Sequence, residues 1–332
     1  FMQAIPADSK YQIKFGLFKS EGNSVLCLIA NHMCMDGSDF KSFVYRFCEN
    51  YCKVLNKKEL IPYRNGSRAY DTIYKDMTPE DRKKATSLYK NINEKDDTKF
   101  PFTAPNPDDA YFMVKRKLPA SLFDGMKAIG KKYGATINDI MLASAFYSMY
   151  DVGNFQESDP MVISNAVDLR RHLKDLDGIG YTNHTAWIQC KIDKRGKDIR
   201  ETLQMAKNSV DDFKKDKFIG LYGFPLLKFA YTCFPMALAE VLIKAGYSNP
   251  LIGMSNMMII DTEKTKLGEA KPYDGFISGA VKYKPFGFLS FTTINKEITL
   301  TMCTKGNQTD REIAGRYLSY IEKHLYDLIS AY

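Results

Sequence analysis

Residues 24 to 30, Ser-Val-Leu-Cys-Leu-Ile-Ala, form an almost wholly apolar run, and at Asn31 the chain turns abruptly polar. A short run without alternation suits a strand buried on both faces. From Phe40 the period changes. Apolar residues recur at Phe40, Phe43, Val44, Phe47, Cys48, Tyr51, Val54 and Leu55, the spacing of one helix face, with Ser38 placed to cap it. A buried strand that passes through the polar loop Asn31 to Gly37 into an amphipathic helix predicts layered α/β structure. Such strand-to-helix junctions are where functional side chains collect.

The remaining pattern fills in that class. Residues 11 to 18 are rich in strand formers and are separated from the apolar run by Glu21-Gly22-Asn23, which predicts a β-hairpin. From Asp96 to Asp109 the chain carries three prolines and no sustained apolar pattern, as a linker or exposed crossover does. The expected division is an N-terminal subdomain over 1–108 and a C-terminal subdomain over 109–332. Residues 110 to 118 read as a strand, Pro119 to Lys132 as a helix ended by Gly134, and a second helix starts at Thr136. Asn138 and Asp139 fall in its first turn, where acidic groups meet the positive end of the helix dipole. Further strands are expected at 161–167, 185–192, 256–261, 276–283, 286–294 and 298–304, with a closing helix after Thr309. Antiparallel hairpins late in the chain imply mixed sheets, and no internal repeat is visible.

Composition excludes several classes. The 332 residues are 45% hydrophobic and 26% charged, values of a folded globular chain rather than a disordered, collagen-like or coiled-coil one. Lys and Arg outnumber Asp and Glu by 47 to 39, a net charge of +8, but the charges are interleaved, which disfavours nucleic acid and leaves room for an anionic ligand. Seven cysteines with no CxxC pair point to a reduced, cytoplasmic protein. The longest apolar stretch, Phe224 to Ile243, is interrupted by Lys228, Pro235 and Glu240, so no transmembrane segment is expected. The chain opens at Phe1 and runs at once into polar and strand-like residues, the expectation for a sequence that begins inside a longer one.

Among four histidines, His32 has the most suggestive setting, at the end of the apolar run. Imidazole titrates near pH ~6.5 and can take a proton from a hydroxyl or amine and return it later in a cycle. The spacing alone leaves alternatives: a structural histidine, a metal site with Cys34 and Asp36, a nucleophilic Cys34, or Asp36 orienting His32 in a triad. The metal reading lacks a second ligand cluster, Cys34 has nothing nearby to lower its thiol pKa and suits a buried inert position, and a triad lacks a GxSxG elbow.

The segment Asn31-His32-Met33-Cys34-Met35-Asp36-Gly37 resembles the HxxxDG signature of the chloramphenicol-acetyltransferase-like superfamily, which includes condensation domains, plant-type HxxxD acyltransferases, polyketide-associated acyltransferases and alcohol acetyltransferases. Three further stretches are similar to family segments and follow in the family order: Gly134 to Ala143, Ser164 to Arg171 followed by Gly180-Tyr181-Thr182-Asn183, and Ser255-Asn256. The resemblance implies two similar subdomains with mixed sheets flanked by helices, an active-site tunnel between them, and a first subdomain lacking its N-terminal part.

It also implies acyl transfer from a thioester, acyl-CoA or a phosphopantetheine carried by an acyl carrier protein, to a small-molecule hydroxyl or amine. No tightly bound cofactor and no metal are implied. His32 is the implied general base, and Asp36 is implied to pair with Arg170 instead of orienting His32. From the residues themselves, strand alternation turns Arg171 to solvent when Arg170 points inward, and Gly37 frees the backbone to turn into the helix. Ser255 and Asn256 are the implied side chains near the oxyanion or substrate. Two departures bear on the acceptor and donor. Asn31 replaces the second histidine of many amide-forming condensation domains, and Lys284-Pro285-Phe286-Gly287-Phe288 only loosely follows the Asp-Phe-Gly-x-Gly motif of plant-type members. A stand-alone acyl-CoA-dependent acyltransferase is the expectation, with a carrier-dependent condensation-type domain and a non-catalytic docking module of the same fold as alternatives.

Overall fold

The turn at Glu21-Gly22 closes a hairpin of β1 (Ile13–Ser20) and β2 (Asn23–Ala30), paired antiparallel from Ile13 opposite Ala30 to Ser20 opposite Asn23, with Gly22 at φ 73°. This is a computed structural model, and it describes residues 3, 5, 6, 8–87, 98–222, 224–246 and 251–331. The hairpin is a sheet of two strands on its own. β2 is therefore not buried on both faces: Val25 is 59% exposed, and Leu17 opposite the strand is 61% exposed. One face meets α1 (Gly37–Leu55), where Phe15 packs on Phe47 with ring centroids 5.1 Å apart. Asp36, not Ser38, caps α1. Its backbone is extended and its carboxylate accepts from the Asp39 amide, which makes Gly37 the first helical residue. A 3₁₀ turn (Tyr70–Tyr74) and α2 (Pro79–Ser87) follow.

After the linker the chain builds a mixed sheet of seven strands: β3 (Ala110–Leu118), β4 (Met161–Asp168), β5 (Thr185–Ile192), β6 (Ile252–Ile259), β7 (Lys282–Tyr283), β8 (Gly287–Ile294) and β9 (Glu297–Gly306). They lie in the order β3-β9-β8-β6-β4-β5, with β7 also beside β9. β6 runs parallel to both β4 and β8, and β7 to β9, while the other pairs are antiparallel. One face carries the apolar core. Ile163, Met254, Leu289 and Leu300 point into it against Ile140, Phe146, Tyr317 and Leu325 from α4 (Ile137–Val152) and α8 (Gln308–Ser330). α3 (Ala120–Tyr133) and α5 (Ile199–Lys214) complete this layer. Their ends follow the sequence signals: Gly134 takes φ 62° to stop α3, and Thr136 and Asp139 form a capping box at the start of α4.

The opposite face bears hydroxyls, and these correct one expected strand. Residues 276–281 do not pair as a strand; only Lys282 and Tyr283 do. The backbone of this segment is instead held by side chains of β8: the Ile277 amide donates to Thr292 Oγ1 (3.0 Å), Thr292 Oγ1 donates to the Ile277 carbonyl (2.8 Å), and the Gly279 amide donates to Ser290 Oγ (2.8 Å). It is a strap across the sheet. The strand expected at 256–261 starts earlier, at Ile252, and a bulge between Asn256 and Ile259, with Met258 at φ 64°, bends its far end away. The apolar stretch from Phe224 folds as α6 (Phe224–Cys233) and α7 (Met236–Gly246), interrupted around Pro235. Among the described residues no helix is long and apolar enough to cross a membrane.

The first residues of the expected linker, Asp96 and Asp97, lie outside the described residues; from Thr98 to Asp109 it is irregular, as expected. Its end is fixed by Lys284, whose Nζ lies 2.8 Å from Asp109 Oδ2 and 2.9 Å from Asp310 Oδ2 and donates to the Ala104 carbonyl (2.9 Å). All three charged side chains are buried. Lys284→Met leaves two buried carboxylates without their cation and is expected to cost about 3 to 5 kcal/mol, measured by equilibrium urea unfolding.

Candidate active site

β2 ends at Ala30, and the loop that follows is held by its backbone. The Asn31 side chain accepts from the Met33 amide (3.0 Å) and donates to the Ile5 carbonyl (3.2 Å). Three successive carbonyls are then taken by two side chains: Asn183 donates to that of His32, and Arg68 donates to those of Met33 (3.3 Å) and Cys34 (3.1 Å). The His32 side chain is exposed on this mount. Cys34 is half-buried, less sheltered than the sequence implied. All seven cysteines are unpaired.

Asp36 turns the other way. Its Oδ1 accepts from the Asp39 amide (3.0 Å), and its Oδ2 accepts from Arg170 Nη1 (2.9 Å) and the His184 amide (2.7 Å), at 2% exposure. These bonds occupy both oxygens, so the carboxylate does not reach back to the imidazole as a triad requires. Burial pushes the Asp36 carboxyl up, but the Arg170 charge together with the hydrogen bonds from Asp39, Arg170 and His184 more than offsets this and holds it below the usual carboxylate range.

Arg170 sits in a 3₁₀ turn (Leu169–His172) directly after β4, and its guanidinium gathers three carboxylates. Nη1 is shared between Asp36 and Asp168 (3.0 Å), and Nη2 lies 2.9 Å from Asp39 Oδ2 and donates to the Thr182 carbonyl (3.2 Å). Arg171 is exposed, but because of this turn and not because of strand alternation. Asp39 is shared in turn: it accepts from the Thr182 amide (2.8 Å) and pairs with Arg64, whose guanidinium lies 4.6 Å over the Tyr181 ring. Asp39, Arg64 and His184 went unnoticed in the sequence. Asp39 carried the one readable signal, an acidic residue three positions after Asp36 in the first helical turn.

His184 is fully buried, and its tautomer follows from its neighbour. Thr72 Oγ1 gives its proton to the Ala69 carbonyl (2.8 Å), so at 3.1 Å it accepts from His184 Nε2–H. Nδ1 is then a bare acceptor, buried without a partner. Burial and the adjacent Arg170 charge push this imidazole's pKa down, so it is neutral at pH 7.

Ser255 and Asn256 lie within β6, and one methionine links this strand to the His32 loop. The Met257 sulfur is 4.0 Å from Ser255 Oγ and would stand 2.9 Å from a Cβ at position 37. Gly37 is therefore a matter of space, since its φ is not in the left-handed region. Asn256 Oδ1 accepts from the Met258 amide (2.8 Å), which leaves its NH₂ as the donor. Two cavities among the described residues lie away from these side chains, one at Thr98–Phe102 with Asn154 and Phe155, the other among Tyr70, Tyr74, Arg82 and Phe224. Among the described residues no three His, Cys, Asp or Glu side chains converge as a metal site.

No family model and no curated protein matches the chain by sequence. Solved structures do match its fold. Polyketide synthase associated protein 5 from Mycobacterium tuberculosis aligns with a TM-score of 0.67 at 14% identity, over 99% of this chain and 80% of that one. A trichothecene 15-O-acetyltransferase from Fusarium sporotrichioides aligns with a TM-score of 0.62 at 15% identity, over 95% and 70%. The epimerization domain from the third module of tyrocidine synthetase B gives 0.61 at 13% identity, over 96% and 72%. The chain thus shares its α/β fold, a mixed sheet flanked by helices, with these proteins.

Two outcomes test the buried network. Arg170→Ala leaves the buried Asp36 and Asp39 facing each other without their shared cation, and Asp36→Ala takes one of three carboxylates from Arg170 and leaves the Asp39 and His184 amides without their acceptor. Arg170→Ala is expected to lose about 3 to 5 kcal/mol, Asp36→Ala less, and the double variant less than the sum, measured by thermal or urea unfolding of all three. The second concerns pH. Because His184 in the folded protein lies below its ordinary pKa of 6.5, the unfolded chain binds the extra proton first, so stability falls as pH drops below about 6.5. His184→Gln should make that decline shallower in unfolding curves between pH ~6.5 and ~5.

Proposed function

We propose that this chain is an acyltransferase that moves an acyl group from acyl-CoA to a hydroxyl or amine of a small acceptor, with His32 as general base. The observation that supports it most is the mount of His32: three consecutive carbonyls fixed by Asn183 and Arg68, and Asp36 locked into the opposite side. A rigid backbone that spends its carboxylate elsewhere and leaves an imidazole exposed suits a group that meets substrate.

In this reading the acceptor attacks the thioester carbonyl as His32 takes its proton. The tetrahedral intermediate then collapses, the C–S bond breaks, and the proton passes from the imidazolium to the leaving thiolate. Asp36 and Arg170 act as positioning residues, and Gly37 lets the Met257 sulfur close over the start of α1. Ser255 Oγ and the Asn256 amide are the proposed donors to the oxyanion or substrate. The division near residue 108 into two subdomains, with substrates meeting between them, belongs to the same proposal.

The donor is assigned to CoA over a carrier protein on two grounds: Asn31 stands where many condensation domains carry a second histidine, and the net charge of +8 suits an anionic co-substrate. Thiol release should be measurable with short or medium acyl-CoA and an alcohol or amine. His32→Ala is expected to reduce it by at least about 10²-fold with an unchanged circular dichroism spectrum. Turnover only with acyl-carrier-protein substrates would replace this donor by the condensation-type one. Wild-type rates in His32→Ala would overturn the mechanism.

A further inference from the structure

The apolar stretch from Phe224 to Ile243 plays no part in the His32 network, and it folds into two helices whose surface does not suit water. α6 and α7 are as apolar in sequence as α4, which is buried on nearly every side. Of their described side chains only Ala230 and Ala239 are buried. Phe229, Tyr231, Met236, Leu238 and Val241 are all exposed, Met236 by 66%. The body of the protein meets the start of α6: the Phe224 ring stacks on Tyr70 with centroids 6.2 Å apart, and Pro225 and Lys228 line a cavity with Arg82 and Thr86 of α2.

The distribution of the exposed side chains separates lipid from protein as their cover. At 3.6 residues per turn Phe229 and Tyr231 stand roughly 200° apart on α6, and Met236, Leu238 and Val241 spread over roughly 200° of α7. A folded partner covers one stripe of a helix, whereas a fluid apolar medium covers every side it can reach. Each helix is about 15 Å long at 1.5 Å per residue, half of the roughly 30 Å core of a bilayer, so the pair reaches into one leaflet and does not cross.

The charge bordering the patch has the matching sign. Arg82, Lys83 and Lys84 are exposed on α2, which packs on α6, and Lys228 is exposed on α6 itself. None of the four makes an ion pair with another described residue. Of the acids beside them Asp81 is taken by Lys217 (2.6 Å), which leaves Asp71 and Glu80, and Glu240 on α7. The cations thus gather where α6 joins the body, at the border of the apolar sides.

We propose that α6 and α7 dock the protein on an anionic lipid surface, with Phe229, Tyr231, Met236, Leu238 and Val241 among the acyl chains of one leaflet and Arg82, Lys83, Lys84 and Lys228 on its headgroups. Shallow apolar insertion and a basic cluster hold a protein on a bilayer more firmly together than either does alone. Docking of this kind is independent of the acyl transfer proposed above.

Flotation of the full chain with vesicles of phosphatidylcholine, and of equimolar phosphatidylcholine and phosphatidylglycerol, tests it. The chain should bind the mixed vesicles, bind the neutral ones about tenfold more weakly, and lose that difference as salt is added. Lys83→Glu with Lys84→Glu should bring binding to the mixed vesicles down to the neutral level. Phe229→Ser with Leu238→Ser and Val241→Ser should remove binding to both, and because these side chains are exposed the unfolding midpoint should not fall. Leu238→Trp gives a second readout: brominated acyl chains should quench its fluorescence, while Trp187 of the parent chain stays unquenched. Failure of the wild type to float with either vesicle overturns the proposal, as does flotation of the serine variant equal to that of the wild type. A concentration-dependent dimer in place of flotation, abolished by the same serines in sedimentation equilibrium, would also overturn it and make this face a contact between two copies of the chain.

Discussion

The guanidinium of Arg170 is the point on which the two parts of the chain converge. It stands just past the end of β4, in the large sheet, and holds the cap of α1 through Asp36 and the first turn of α1 through Asp39. Each of these carboxylates also takes a backbone amide from residues 182–184, so the segment leading into β5 is fastened by the same charges. A pair of charges buried this deeply returns its desolvation cost only when nearly every lone pair and N–H is satisfied. Here most are: Arg170 Nε, Arg64 Nε and His184 Nδ1 are the buried atoms of the network left without a partner. The network thus sets where α1 begins, and with it the direction in which the loop before α1 presents His32.

Much of this fold was legible because local signals agreed with the tertiary outcome. Gly134 after an apolar helix, Thr136 followed by Asp139, and short runs of strand formers at 161–168 and 287–294 each specify their elements. The misreadings have one cause in common: a strand pattern states that side chains alternate, not what lies beyond them. The apolar run at 24–30 read as doubly covered, yet it has one partner strand and α1. Residues 276–283 are extended, but the groups that satisfy their backbone are hydroxyls from another strand, which no local window contains.

The candidate site divides the same way. His32, Asp36 and Arg170 were readable through motif spacing, while Arg64, Asp39 and His184 join them only through contacts spanning 25 to 148 residues. The cap of α1 was misplaced because Ser38 and Asp36 both satisfy the capping rule, and what decides between them is Arg170, 134 residues away. Long-range charge thus overrules a local preference of comparable size.

The strap over residues 275–281 has a consequence for motion. An edge strand leaves a sheet only by breaking its ladder, whereas this segment is tied down by the hydroxyls of Thr292 and Ser290, and Ser290 Oγ is itself held by Thr301 Oγ1 at 2.8 Å. The ladder of β8 with β9 does not include these side-chain bonds, so breaking them leaves that pairing complete. The strap is thus held by a set of bonds separate from those of the sheet beneath it, and its local stability is not bound to that of the helical layer on the other side.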